Sequence, residues 1–187
     1  MALRSPLTPA RLTPEQFEAV AALPENRERR LELLNGMVCD MVSNSISAQI
    51  SARLIMAIGR ALTDDQIGLL TGPDGGYQIG QHRLMPDLAF TSPGRADAPP
   101  GETWISIPPD IVAEVLSPTD RVSMMAAKVN VYLRAGVRVW LIDPEDRTVT
   151  VFAPAGLPTV LHADDTLDGG DVLPGFRLPL RALFPEN

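Results

Sequence analysis

The chain has 187 residues, 45% of them hydrophobic, and a formal net charge of −7. That composition suits a globular protein with a sizeable core, and no apolar run approaches the length of a membrane span. Proteins that hold nucleic acid through their overall field are normally basic, so tight DNA binding of that kind is excluded and any nucleic-acid contact must come from a local patch.

A single cysteine, Cys39, rules out an internal disulfide and offers no cysteine cluster for a metal. The stretch Met1-Ala2-Leu3-Arg4-Ser5-Pro6 lacks the apolar region of a signal peptide, so the expected location is cytoplasmic, with no membrane partner. Residues 1–12 read as a loose tail, and 13–187 as a single domain. Thr13-Pro14-Glu15-Gln16 starts a helix, with Thr13 as N-cap, Pro14 at the first helical position and Gln16 completing a capping box; it should stop before Pro24. Leu31 to Leu34, Asn35-Gly36 and Met37 to Val42 predict a β-hairpin, because Asn-Gly supplies the positive φ angles of a tight turn. Ile46, Ile50, Leu54, Ile58 and Leu62 recur at helical spacing.

Short strands are expected over Ile67 to Leu70 and Tyr77 to Ile79, on either side of a Gly72 to Gly76 turn. Pro86 to Thr91 reads as a strand with proline at its first position, and 92–103 as a Pro/Gly-rich loop of the kind that borders active sites. Asp110 to Leu116 is a near-continuous apolar strand, typical of a sheet covered on both faces. Ser117-Pro118-Thr119-Asp120 is expected to open a helix, with Ser117 as N-cap and Asp120 three residues later, and Gly136 to end it. Val137 to Ile142 is another buried strand, Thr148 to Phe152 its antiparallel partner, and the Pro/Gly/Asp-rich tail ends in a brief helix around Leu180 to Leu183. The order predicts an α/β fold: a mixed β-sheet flanked by helices, with an N-terminal β-hairpin.

Three charged residues lie on elements that otherwise read as core: Asp87, Glu114 and Lys128. A carboxylate in a buried strand is costly unless it is paired or bound to metal. Phosphodiester hydrolysis needs a hard cation, an activated water and stabilised charge. Magnesium takes oxygen ligands and keeps several waters, so Asp87, Glu114 and the backbone carbonyl of Val115 are enough to hold it. Lys128 would orient the water or stabilise the developing charge. The helical wheel puts Lys128 at the margin of the apolar stripe, beside Tyr132, from which a lysine can reach inward or snorkel outward.

The strings Leu31-Glu32-Leu33-Leu34-Asn35-Gly36, Pro86-Asp87-Leu88-Ala89-Phe90 and Glu114-Val115-Leu116-Ser117-Pro118-Thr119-Asp120-Arg121 come in this order. Lys128 with Tyr132, Ala135-Gly136-Val137 and Trp140-Leu141-Ile142-Asp143-Pro144 follow. As an ordered set they resemble the Uma-two family of restriction-endonuclease-like proteins, within the PD-(D/E)XK nuclease superfamily, over residues 14–184. The resemblance implies a restriction-endonuclease-like core, metal-binding roles for Asp87 and Glu114, a catalytic role for Lys128, and a supporting role at the metal or its waters for Glu32. In most of the superfamily the lysine follows the acidic residue by two positions; Leu116 stands there, so the lysine has moved to the following helix. Family members often carry a histidine early in the helix after the hairpin, where Ser47 stands here.

Taken alone, Asp87 reads as a strand-start turn residue, Lys128 as a solvated helix charge and Glu32 as the outer face of a hairpin. Glu114 resists that reading because Ile111, Val112, Ala113, Val115 and Leu116 surround it. His82 belongs to a polar surface loop, Cys39 to the core, Trp140 to a buried strand, and Arg121 and Arg134 to the surface. The expected function is a Mg2+-dependent endonuclease, with Mn2+ as substitute, acting transiently on DNA as a homodimer. The alternative is a catalytically weakened nuclease-fold module with a structural or interaction role.

Overall fold

The computed structural model describes residues 11–41, 44–96, 103–118 and 121–185. Helix α1 (Pro14–Ala21) begins with a reciprocal capping box: the Gln16 N–H donates to the Thr13 hydroxyl, and the Thr13 N–H donates to the Gln16 side chain. Strands β1 (Arg30–Leu34) and β2 (Met37–Met41) pair antiparallel around Asn35 and Gly36, with φ of 53° and 78°. Both central residues are left-handed, as a two-residue hairpin loop requires. Cys39 is half-buried on β2, a sheet-edge strand, and packs against the apolar layer that holds Leu34 and Tyr77, so the expected core thiol lies at the margin of the core.

Helix α2 (Ser45–Ala61) is capped by Asn44, whose side-chain oxygen accepts the N–H groups of Ile46 and Ser47 at 3.0 and 2.9 Å. Asn44→Ala is expected to cost about 1 kcal/mol, the usual loss at an N-cap, read as a lowered urea midpoint at unchanged m. Strand β3 (Leu69–Thr71) starts two residues later than the apolar run suggests. After β4 (Tyr77–Ile79) comes β5 (His82–Leu84), where a loop is expected from sequence. The polar pair His82-Arg83 conceals β5. Gly80 at φ 57° turns the chain back, β5 pairs with β4 and β1, and Arg83 is buried by its salt bridge to Glu18.

Strands β6 (Leu88–Thr91) and β7 (Ile111–Val115) are antiparallel neighbours. Residues 97–102 of the intervening loop lie outside the described set. Helix α3 (Val122–Arg134) carries the chain to β8 (Arg138–Asp143), parallel to β7. The helix starts later than expected: a turn at Pro118 comes first, and Arg121, not Ser117, stands at the cap, making no side-chain capping bond. Asp120, the expected partner of that cap, lies outside the described residues. The C-terminus is as predicted: Gly136 has φ 80°, its N–H donates to Leu133, and the Val137 N–H donates to Tyr132, a Schellman closure. Strands β9 (Thr148–Phe152), β10 (Thr159–Leu161), β11 (Thr166–Asp168) and β12 (Arg177–Pro179), then a 3-10 turn at Leu180–Ala182, complete the chain.

The central sheet has the order β10-β9-β8-β7-β6-β3, and a second sheet the order β2-β1-β5-β4. Alternation along the central strands divides the core. Leu88, Phe90, Ile111, Ala113, Trp140 and Ile142 pack with Ile50, Leu54 and Ile58 of α2. Ala89, Val112 and Val139 pack with Val129 and Tyr132 of α3 and with Leu34, Tyr77 and Leu84 of the second sheet. With side chains alternating at period two, Glu114 falls on the same face as Val112, toward α3.

Candidate active site

Glu114 enters this layer from the middle of the sheet and is 2% exposed. From α3 the Lys128 ammonium reaches it, 2.8 Å from Oε1 and 2.9 Å from Oε2. The same ammonium lies 3.0 Å from Oε1 of Glu32 on β1, which also accepts the Met85 N–H at 2.7 Å. Tyr132, one helical turn after Lys128, donates its hydroxyl to Glu114 Oε1 at 2.8 Å. Lys128 and Glu32 are as buried as Glu114, at 2% and 1% exposure. Of the two courses the helical wheel leaves open to Lys128, the fold takes the inward one, and Glu32 lies inside the hairpin layer, not on its outer face.

Asp87 lies one residue before β6, where the β6–β7 register, extended by one pair, sets it opposite Glu114. Its Oδ2 accepts the Val115 N–H at 2.8 Å, so the side chain continues the ladder where the strand ends. The Leu116 N–H faces β8, bonded to the Ile142 carbonyl. Across a trans peptide the Val115 carbonyl points the opposite way, toward the side of Asp87. The fold therefore brings together Glu32, Asp87, Glu114, Lys128 and the Val115 backbone. Ser47 is buried on α2; its carbonyl accepts the Ser51 hydroxyl. His82 accepts the Asn35 N–H on β5, and burial lowers its pKa.

Burial dominates the electrostatics. It pushes the Glu114 carboxyl up to about 7 against the pull of Lys128, and the charges of Glu32 and Asp87 add to the rise. Burial likewise raises Asp87, opposed by the Val115 N–H and Lys128. For Lys128 desolvation is outweighed by the two glutamates, and its pKa rises. Free glutamate releases its proton near 4.5, while Glu114 in the fold holds it to about 7. Between those values the folded state binds more protons than the unfolded one. The stability Glu114 contributes is therefore fully present below 4.5 and is lost as pH rises through about 7. Lys128, raised, contributes evenly across that window. Urea midpoints of the natural chain are expected to fall from pH 4.5 to 7 relative to those of Glu114→Gln, which lacks the titration.

Three carboxylates against one ammonium leave this cluster a formal charge of −2, which a divalent cation would cancel. Among the described residues no group of three or more His, Cys, Asp or Glu side chains is placed to hold a metal ion. Two carboxylates and a carbonyl instead fit a hard cation that keeps its waters.

Tyr132 carries no site signal of its own in the sequence, although its i, i+4 spacing from Lys128 sets both on one helix face. A second signal lies in composition: Lys128 is the only lysine, and every other cation of the chain is an arginine. Lysine seldom enters a core, so a sole lysine on a half-apolar helix marks the position.

A family model described as Uma2, putative restriction endonuclease, matches residues 14–181. The crystal structure of a putative nuclease belonging to DUF820 from Anabaena variabilis shares the fold. It superposes with a TM-score of 0.81 at 21% sequence identity, covering 92% of this chain and 97% of that one. No curated protein matches the sequence. No helix of the described residues is long and apolar enough to cross a membrane.

Proposed function

Since the chain belongs to the Uma2 family of putative restriction endonucleases, we propose that it is a metal-dependent endonuclease hydrolysing phosphodiester bonds in DNA. Mg2+ is the working ion and Mn2+ a substitute. The observation that carries this reading is the buried Lys128 ammonium held between Glu114 and Glu32, next to a strand end where Asp87 faces Glu114. Asp87, Glu114 and the Val115 carbonyl would hold the cation. When bound, it supplies a Lewis acid for the phosphate and a water of lowered pKa.

The chain's own groups do the rest. Lys128 directs an N–H toward the attacking water and offsets the charge that develops on phosphate. Glu32, fixed by the Met85 N–H, keeps that ammonium in place and in its charged form. Burial of the cluster strengthens each of these interactions. A nuclease that cuts both strands pairs two sites, so the working form in this reading is a homodimer of one domain spanning residues 13–187.

A second reading, a nuclease-fold module without activity, is favoured by one observation: both Glu114 oxygens already carry donors. The test is supercoiled plasmid incubated with the full chain in Mg2+, Mn2+ or EDTA, alongside calorimetric titration with Mn2+. Nicked or linear product only with the divalent ion, with a binding heat, supports the nuclease. Absence of both overturns it in favour of the module.

A further inference from the structure

We propose that Tyr132 is a positioning residue that fixes the Glu114 carboxylate for its cation, an inference that rests on the nuclease reading above. Tyr132 is fully buried, and its ring packs among Val112, Val129, Val137 and Val139. A packed ring has little rotamer freedom, so its hydroxyl is a stationary donor 2.8 Å from Glu114 Oε1. Lys128 has the opposite character. Its stem is flexible, and its ammonium is shared between Glu114 and Glu32.

The two oxygens of Glu114 thus differ. Oε1 carries the fixed phenol as well as the ammonium, whereas the bond at Oε2 is from Lys128. If Lys128 gives ground to a cation, Glu32 retains it and Oε2 is released, while Tyr132 keeps the carboxylate plane in place. The phenol touches Glu114 and not the reacting atoms. Its contribution is to pre-orient a ligand, as groups hydrogen-bonded to metal ligands generally do.

Because Lys128 is the only lysine, [15N]lysine labelling gives one Nζ resonance. Mg2+ is expected to shift it in the natural chain as Lys128 leaves Glu114. Tyr132→Phe removes one oxygen and is expected to weaken Mn2+ binding by calorimetry roughly 10- to 100-fold, lowering kcat more than it changes KM for DNA. Val137→Ala, a cavity in the same cluster four register positions from the level of Glu114, is expected to lower Tm while keeping the natural Mn2+ affinity.

A measurement independent of how well Tyr132→Phe folds uses 3-fluorotyrosine at the two tyrosines, Tyr77 and Tyr132. Mg2+ should move the 19F resonance that persists in Tyr77→Phe. An unmoved resonance, an unchanged Mn2+ affinity in Tyr132→Phe, or losses in Val137→Ala equal to those in Tyr132→Phe overturn the proposal and leave the nuclease reading intact. A natural chain that binds no Mn2+ overturns both.

Discussion

Replacing Lys128 by methionine is expected to destabilise the fold by about 3–5 kcal/mol, the range for breaking a buried ion pair from one side. Methionine has a similar stem, so packing changes little and the loss reports the charge. Glu32 and Glu114, at 1% and 2% exposure, are left facing each other without their shared cation. Met85 and Tyr132 still donate to them, but neutral donors do not replace a full charge. Without the pull of the ammonium Glu114 holds its proton to higher pH than in the natural chain, so the deficit should deepen as pH rises above about 7. Urea denaturation at pH 5 and pH 8 would measure both the size and the slope. Adding Glu32→Gln and Glu114→Gln to Lys128→Met should recover most of the stability, since a neutral buried set needs no counter-charge. A Lys128→Met protein as stable as the natural chain would mean that the cluster opens to water in solution.

Glu114→Gln is expected to abolish divalent-dependent cleavage and weaken Mn2+ binding by more than the roughly 100-fold ceiling of an outer-shell loss. The amide matches the carboxylate in volume, and its oxygen can still accept from Tyr132. What it loses is the charge a hard cation needs, and its NH2 must face Lys128, donor against donor. Stability and activity should therefore separate. Activity falls to background while Tm changes less than in Lys128→Met, because Glu32 still pairs Lys128 and the burial cost of a carboxylate is gone. Asp87→Asn should behave alike, its amide oxygen able to accept the Val115 N–H as Asp87 does. Cleavage assays with paired calorimetry on both variants check this. A Glu114→Gln protein that still cuts in Mg2+ would remove Glu114 from the metal site.

The legible parts of the molecule were those set by near neighbours in sequence. Thr13, Pro14 and Gln16 lie within one helical turn, so their capping box is readable. Asn35-Gly36 is its own turn, and Gly136 its own helix stop. Strand β5 was hidden because His82 and Arg83 have no apolar pattern; partners on β4 and β1 and the Glu18 carboxylate make that segment a strand. The start of α3 is not legible because Ser117-Pro118 has the form of a helix start, whereas the chain turns there first and the helix begins at Val122.

By itself the sequence determined that Glu114 shares a strand face with Val112, since alternation at period two leaves a strand residue no other choice, whereas packing alone put α3 over that face. It also fixed Lys128 and Tyr132 on one helix face, since 3.6 residues per turn align positions four apart. Only the tertiary structure decided that Lys128 turns inward and that Glu32 is its second partner. Glu32 lies 96 residues away in the chain, on a different sheet. Local propensity carries no information about which distant carboxylate meets a helix face. That is settled when the hairpin sheet and α3 close on one apolar layer and the charges caught inside must find each other.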